Sequence, residues 1–245
     1  MSALSPAYDE DLAYIHDIGY DFHARGLAPA LLALLKEARL AGSVVVDLGC
    51  GSGIWTRQLA DAGYRPVGVD YSAAMITLAG RRSPAGEFHV SSFLDFELPQ
   101  CGAITAFGEV LCYQFDRRNG RPALMRLVRR VFEALSPGGL FLFDIVELGL
   151  DRGRKPTWQA GDDWACLVAY ERDEKRKQVT RQITTFRKVG DLYRRGHEAH
   201  RVQLYDARDV AALLRQAGFR VRLTRRFGDY PLLPFRAGFI AKKLR

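Results

Sequence analysis

The segment Asp47-Leu48-Gly49-Cys50-Gly51-Ser52-Gly53 puts a glycine at every second position, directly after the β-branched run Val44-Val45-Val46. Glycine has no Cβ, so such a loop turns sharply and lets a ligand touch the backbone, while the helix behind it offers free N–H groups. The spacing excludes two uses. A dinucleotide fingerprint needs G-x-G-x-x-G, and the residue three after Gly51 is Ile54. A phosphate-binding P-loop needs Gly-Lys-Ser/Thr, which is absent here. A second group able to do chemistry lies in Tyr193-Arg194-Arg195-Gly196-His197-Glu198-Ala199-His200. Strand alternation sets Glu198 and His200 on one face and His197 on the other. A carboxylate beside an imidazole orients it and raises its basicity, although the same pair also serves as a structural hydrogen bond. His16, Tyr113 and Glu109 are the remaining candidates for substrate contact, and His89 reads as structural. Cys50, Cys101, Cys112 and Cys166 form no CxxC pair and have no His at ligand spacing, so reduced buried thiols are expected and no metal site.

Alternating strands and helices position the loop. Val44 to Asp47 reads as the first strand, Trp55 to Tyr64 as a helix, Pro66 to Asp70 as a strand, and Ser72 caps a helix through Met75 and Leu78. Glu87 to Val90 and Ala103 to Gly108 follow as strands, Pro122 to Leu135 as a helix, and the turn Ser136-Pro137-Gly138-Gly139 leads into Leu140 to Val146. That succession implies βαβ units and a parallel sheet. Beyond residue 150 the pattern changes to long alternating segments, Trp164 to Arg172, Gln178 to Lys188 and Leu192 to Leu204, as in an antiparallel meander. Ala207 to Gln216 is then a helix, with Phe219 to Leu223 and Gly238 to Lys243 as closing strands. Ahead of the first strand, Ala30 to Ala38 is helical and Asp9 to Arg25 has helical spacing. Trp55 and Met75 fall on helical faces, where core packing is the ordinary role.

The loop resembles the first motif of class I S-adenosylmethionine-dependent methyltransferases, V-V-D-x-G-C-G-x-G, and further stretches match in register. Asp70, 17 residues past Gly53, stands where that family places the acid accepting both ribose hydroxyls, and Tyr71 beside it would flank the adenine. Ser91-Ser92-Phe93-Leu94-Asp95-Phe96 resembles the adenine-edge motif; many members carry Asp where this chain has Ser92, and Phe93 keeps the apolar contact. Phe107-Gly108-Glu109-Val110 resembles the fourth-strand motif at the methionine end, and Leu135-Ser136-Pro137-Gly138-Gly139 the turn before the fifth strand. The resemblance covers residues 44 to 146 well and 207 to 244 more weakly. It implies S-adenosyl-L-methionine as cofactor, held by Asp47, Gly49, Gly51, Gly53, Asp70, Tyr71, Met75, Ser92, Phe93, Gly108 and Glu109. The implied fold is α/β, a doubly wound, mostly parallel seven-stranded sheet, with an antiparallel β-meander inserted after the fifth strand and an N-terminal helical lid. The expected division is 1–40 lid, 41–150 with 206–245 core, and 151–205 inserted substrate-capping region.

The 245 residues are 48% hydrophobic and 26% charged, one α/β domain's worth. Leu98 to Gly108, the longest stretch without charge, is 11 residues against the roughly 20 a membrane-spanning helix needs. The start, with Asp9, Glu10 and Asp11, is not a signal peptide's, so a cytoplasmic protein without membrane partner is expected. The net charge of +8 is uneven: residues 1–150 carry 13 basic against 17 acidic groups, 151–205 carry 13 against 8, and 206–245 carry 10 against 3. Arg181, Arg187, Arg194, Arg201, Arg208 and Arg215 are scattered singly, which reads as a solvated face before a nucleic-acid surface. No Asp/Asn-Pro-Pro-Tyr/Phe motif follows the fourth strand, and no Pro-Cys nucleophile is present. O- or N-methylation of a small molecule, the cavity capped by lid and meander, is the first expectation. A tRNA or rRNA methyltransferase using the basic C-terminal half and a non-catalytic cofactor-binding module are the alternatives, and oligomeric state is left open.

Overall fold

A computed structural model describes residues 7–149 and 154–244. Two helices lead, α1 (Glu10–Gly19) and α2 (Phe22–Glu37), separated at Tyr20-Asp21, where continuous helical spacing was expected up to Arg25. Then come β1 (Val44–Leu48), α3 (Ile54–Asp61), β2 (Arg65–Asp70), α4 (Ala73–Arg82), β3 (Glu87–Val90), β4 (Cys101–Ala106), α5 (Arg121–Ala134) and β5 (Leu135–Val146). A second sheet is built from β6 (Thr157–Ala160), β7 (Trp164–Asp173), β8 (Gln178–Val189) and β9 (Leu192–Gln203). The chain closes with α6 (Ala207–Gln216), β10 (Phe219–Thr224), the short pair β11 (Arg226–Phe227) and β12 (Tyr230–Pro231), and β13 (Arg236–Lys243).

The main sheet has the order β10-β13-β5-β4-β1-β2-β3, with β13 antiparallel to both neighbours and the other pairings parallel. Val46 lies opposite Val67 and Ile104, so the centre is apolar on both faces, as a covered parallel sheet requires. One face carries α5 and α6 through Leu124, Leu127, Val128, Val131, Val210 and Leu214. The other carries α2 and α3, with Leu27, Leu31 and Leu35 at helical spacing and fully buried, each stabilising by about 1.5–3 kcal/mol. The inserted sheet is held by α1, where Leu12 and Ile15 meet Trp164, Cys166 and Ile183.

Two details differ from the sequence reading. Ser136 to Gly139 is not a separate turn but the start of β5, where Gly138 has φ +85° and the register against β4 shifts between Cys101 and Ala103. The inserted sheet has four strands, because Thr157–Ala160 adds an edge to β7. The expected boundary at 150/151 and the first six residues lie outside the described residues. Among the described residues no helix is long and apolar enough to cross a membrane.

Candidate active site

One cavity of about 460 Å³ runs from the glycine loop, past the C-terminal ends of β1, β2 and β4, to the inserted sheet. At its first end Gly49, Gly51 and Gly53 have φ of +69°, +54° and +77°, which glycine adopts without cost. A Cβ at Gly51 or at Gly108 (φ +85°) would meet no atom within 4 Å, so the backbone there faces open space. Asp70 ends β2 and fixes the loop: Gly51 N donates to Oδ2 at 2.9 Å and Ser72 N to Oδ1 at 2.8 Å. Burial pushes its carboxyl up, against the pull of these N–H groups. Asp47 at the end of β1 accepts from Thr105 Oγ1 at 2.8 Å, and burial pushes its carboxyl up to about 7. Met75, Ser92 and Phe93 also line the cavity, and Tyr71 forms a stacked series with Phe115 and Tyr113, at 6.0 and 4.8 Å between centroids. Ser92 Oγ donates to Asp116 at 2.8 Å and accepts from Leu94 N at 3.2 Å, which leaves it one acceptor site. Gly53 is not in the cavity wall; it caps α3 from behind the loop.

At the other end the chemistry is charged. Glu109 sits in the left-handed region (φ +58°), and Gly108 N and Glu109 N both donate to the buried Asp144, at 2.8 and 3.0 Å. Its carboxylate meets Arg181 Nη2 and, at 3.1 Å, Arg236 Nη2. Burial works against the charge, yet the two guanidinium groups bring the Glu109 carboxyl down to about 2. Arg181 Nη1 donates to Tyr113 Oη at 2.8 Å, and Tyr113 Oη lies 3.2 Å from Tyr8 Oη. Arg236 Nη1 donates to Asp144 at 3.1 Å and to His23 Nε2 at 2.7 Å. Arginine only donates, so the His23 proton is on Nδ1, pointing at Tyr230 Oη 2.8 Å away. Burial lowers both cavity histidines, His16 and His23, to about 4, so each is neutral at pH 7.

His200 and Glu198 lie outside the cavity wall. They are buried on one face of β9, as alternation required, with Nε2 of His200 2.7 Å from Glu198 Oε2. Glu198 also accepts from Tyr8 N at 2.8 Å and Asp9 N at 2.9 Å, and the His200 ring packs on Tyr8 at 4.9 Å. The pair thus sits behind the Tyr8 ring, which does line the cavity. His89 is an exposed partner of Glu87.

The arginines are the main correction. Arg181 is not on a solvated face: its side chain is 13% exposed, because alternation along β8 puts it with the buried Val179 and Ile183. That pattern was the available signal. Arg154, Tyr170, His23 and Arg236 were also missed; they reach the cavity from separated parts of the chain and carry no local motif.

A sequence model of the family described as methyltransferase domain matches residues 20–224. The chain belongs to that family and is a class I S-adenosylmethionine-dependent methyltransferase. The enzyme is 26% identical over 210 residues to a methyltransferase of Geobacillus sp. strain WCH70, covering 80% of this chain and 82% of that one. It is 39% identical over 114 residues to trans-aconitate 2-methyltransferase of Paracidovorax citrulli, covering 46% of this chain and 42% of that protein. In structure it is similar to the sugar N-methyltransferase KedS8 from Streptoalloteichus sp. ATCC 53650, with TM-score 0.80 and 22% identity over 100% of this chain and 96% of that one. The family implies S-adenosylmethionine as cofactor, and the residues fit it: a backbone cradle open at Gly51 and Gly108 beside a carboxylate with spare acceptor sites at Asp70.

Proposed function

We propose that the methyltransferase transfers a methyl group to oxygen or nitrogen of a small molecule enclosed in the cavity. The observation that carries this reading is the cavity itself. Its volume of about 460 Å³ is that of a small-ligand site, and α1 and the inserted sheet wall it at the acceptor end. A relative named for trans-aconitate and a structural neighbour named as a sugar N-methyltransferase add support. In this reading Asp70 takes the ribose hydroxyls, while Tyr71, Ser92, Phe93 and Met75 bound the adenine. Gly49, Gly51, Asp47 and Gly108 border the methionyl end, Gly53 shapes the loop, and Glu109 faces the acceptor.

S-adenosylmethionine supplies an electrophilic methyl group. The chain supplies placement. Among the described residues no wall carboxylate or histidine at the acceptor end is a strong base: Glu109 is held near 2 by its arginines, and His16 and His23 near 4 by burial. Rate then comes from aligning the acceptor, with Tyr113 and Tyr8 holding it and the acceptor's proton passing to water at the mouth of the cavity. His200 and Glu198 contribute by placing Tyr8.

The test is incubation of the enzyme with methyl-labelled S-adenosylmethionine and separately the small-molecule and RNA fractions of a cell extract. Label entering a small molecule is the expected result. Label confined to RNA would sink the reading, and tight cofactor binding without transfer to either fraction would mark a binding module.

A further inference from the structure

Three guanidinium groups, of Arg154, Arg181 and Arg236, line the acceptor end of the cavity. Among the described residues two carboxylates answer them there, Glu109 and Asp144. His16 and His23 are neutral and add nothing to the balance. That end therefore carries one uncompensated positive charge, in a partly water-excluded wall where an unpaired charge is unfavourable. The excess falls on Arg154, which bonds Tyr170 Oη at 2.8 Å and has no carboxylate partner among the described residues. Its guanidinium carbon lies 4.1 Å from the ring centroids of both Tyr170 and Phe235. Two aromatic faces fix the plane of the guanidinium and leave its edge, where the N–H donors are, for a partner. Burial, Arg181 and Arg236 press against the Arg154 charge while Tyr170 and Glu109 support it, and the balance is unfavourable, so an anion would relieve it. Nε of Arg181 and Nε of Arg236 are also buried without an acceptor in the described residues.

We propose that the methyl acceptor is an anion, bearing a carboxylate or a phosphate away from the methylated atom, and that Arg154 grips that group edge-on. This rests on the small-molecule reading and narrows it. A planar fork against two acceptor oxygens is the arrangement arginine makes best with both anions. Arg154 precedes the inserted sheet and touches Tyr170 of β7 and Phe235 rather than any residue of the glycine loop, so its service is to the acceptor.

The experiment uses the whole enzyme, methyl-labelled S-adenosylmethionine and the small-molecule fraction of an extract, with labelled products passed over an anion-exchange resin. Retention of the product is expected. Retention abolished by phosphodiesterase followed by phosphatase assigns a phosphate, and retention that survives both a carboxylate. A labelled small molecule that flows through as a neutral or a cation overturns the inference while leaving the small-molecule reading standing; label only in RNA overturns both. The second arm is kinetic, on the purified acceptor. Arg154→Gln should raise its KM at least about tenfold, and Arg154→Lys by less, since charge is kept and the fork lost. The KM for S-adenosylmethionine should stay within about twofold, which also certifies the fold. An unchanged acceptor KM in Arg154→Gln, or a parallel rise in both KM values, overturns the assignment of Arg154.

Discussion

His200 shows how far a residue's role depends on what stands in front of it. Its face was legible from strand alternation, but Tyr8 and Asp9, bonded to Glu198, separate it from the cavity. His200→Asn should slow transfer by less than about tenfold and keep the wild-type shape of the pH–rate profile, because the loss acts through the Tyr8 ring. A direct base would cost 10²–10⁴-fold and its limb of the profile. Asp47 gives a pH signature of its own. Its carboxyl titrates near 4 in an unfolded chain and at about 7 in the fold, raised by burial. Between those values the unfolded chain has released a proton that the fold retains, so rising pH removes stability, by up to about 4 kcal/mol, and the effect levels off above 7. Urea unfolding without cofactor should show wild type losing stability from pH 4.5 to 7.5 relative to Asp47→Asn. Parallel behaviour of the two proteins would refute the buried acid.

Among elements, the glycine loop was the most readable, since a turn with three left-handed positions leaves its mark in residue type. Gly51→Val forces a branched side chain to φ +54° and fills the open space before the loop, at a backbone cost of about 1–2 kcal/mol. Circular dichroism should show a folded protein and calorimetry no cofactor binding; normal binding would remove the loop from the site. The β5 start, the four-residue β6 and the β11–β12 pair were not legible, because short edges and bulges are decided by neighbours rather than by local pattern. Nor was the Glu109–Arg181–Arg236 cluster, whose members are distant in sequence and meet only once β8 and β13 are in place. At α1 the anchor is Asp11, buried and accepting from Arg187 at 3.1 Å and from Arg194 at 2.5 and 2.6 Å. Asp11→Ala should destabilise this docking by about 1–3 kcal/mol. Amide exchange in α1 should then quicken about tenfold for every 1.4 kcal/mol, ahead of the main sheet. Uniform quickening would show instead that α1 opens only with the whole domain.

For the molecule as a whole, the charge excess of the C-terminal part is real in sequence but is partly spent inward. Arg181 and Arg236 serve the cavity, and Arg187 and Arg194 serve Asp11. A surface contacting 6–10 phosphates would lose 10³–10⁵ in affinity between 50 and 200 mM salt. For the small-molecule product, kcat/KM over that range should change less than about fivefold, since a walled site is screened little. A steep loss would return weight to RNA. The parallel βαβ core was readable from the strand and helix succession and its seven strands from the family resemblance, while the strand order came with the structure; the packing of a second sheet beside it was readable only as alternation, without its partner. The four cysteines carry a practical consequence. All are buried, and burial pushes every thiol up, Cys101 to about 12, so the native surface presents no thiolate to an alkylating dye. A cysteine placed at the exposed Leu192, the first residue of β9, would be marked alone, and a fluorophore there would follow the inserted sheet during turnover without first stripping the native thiols.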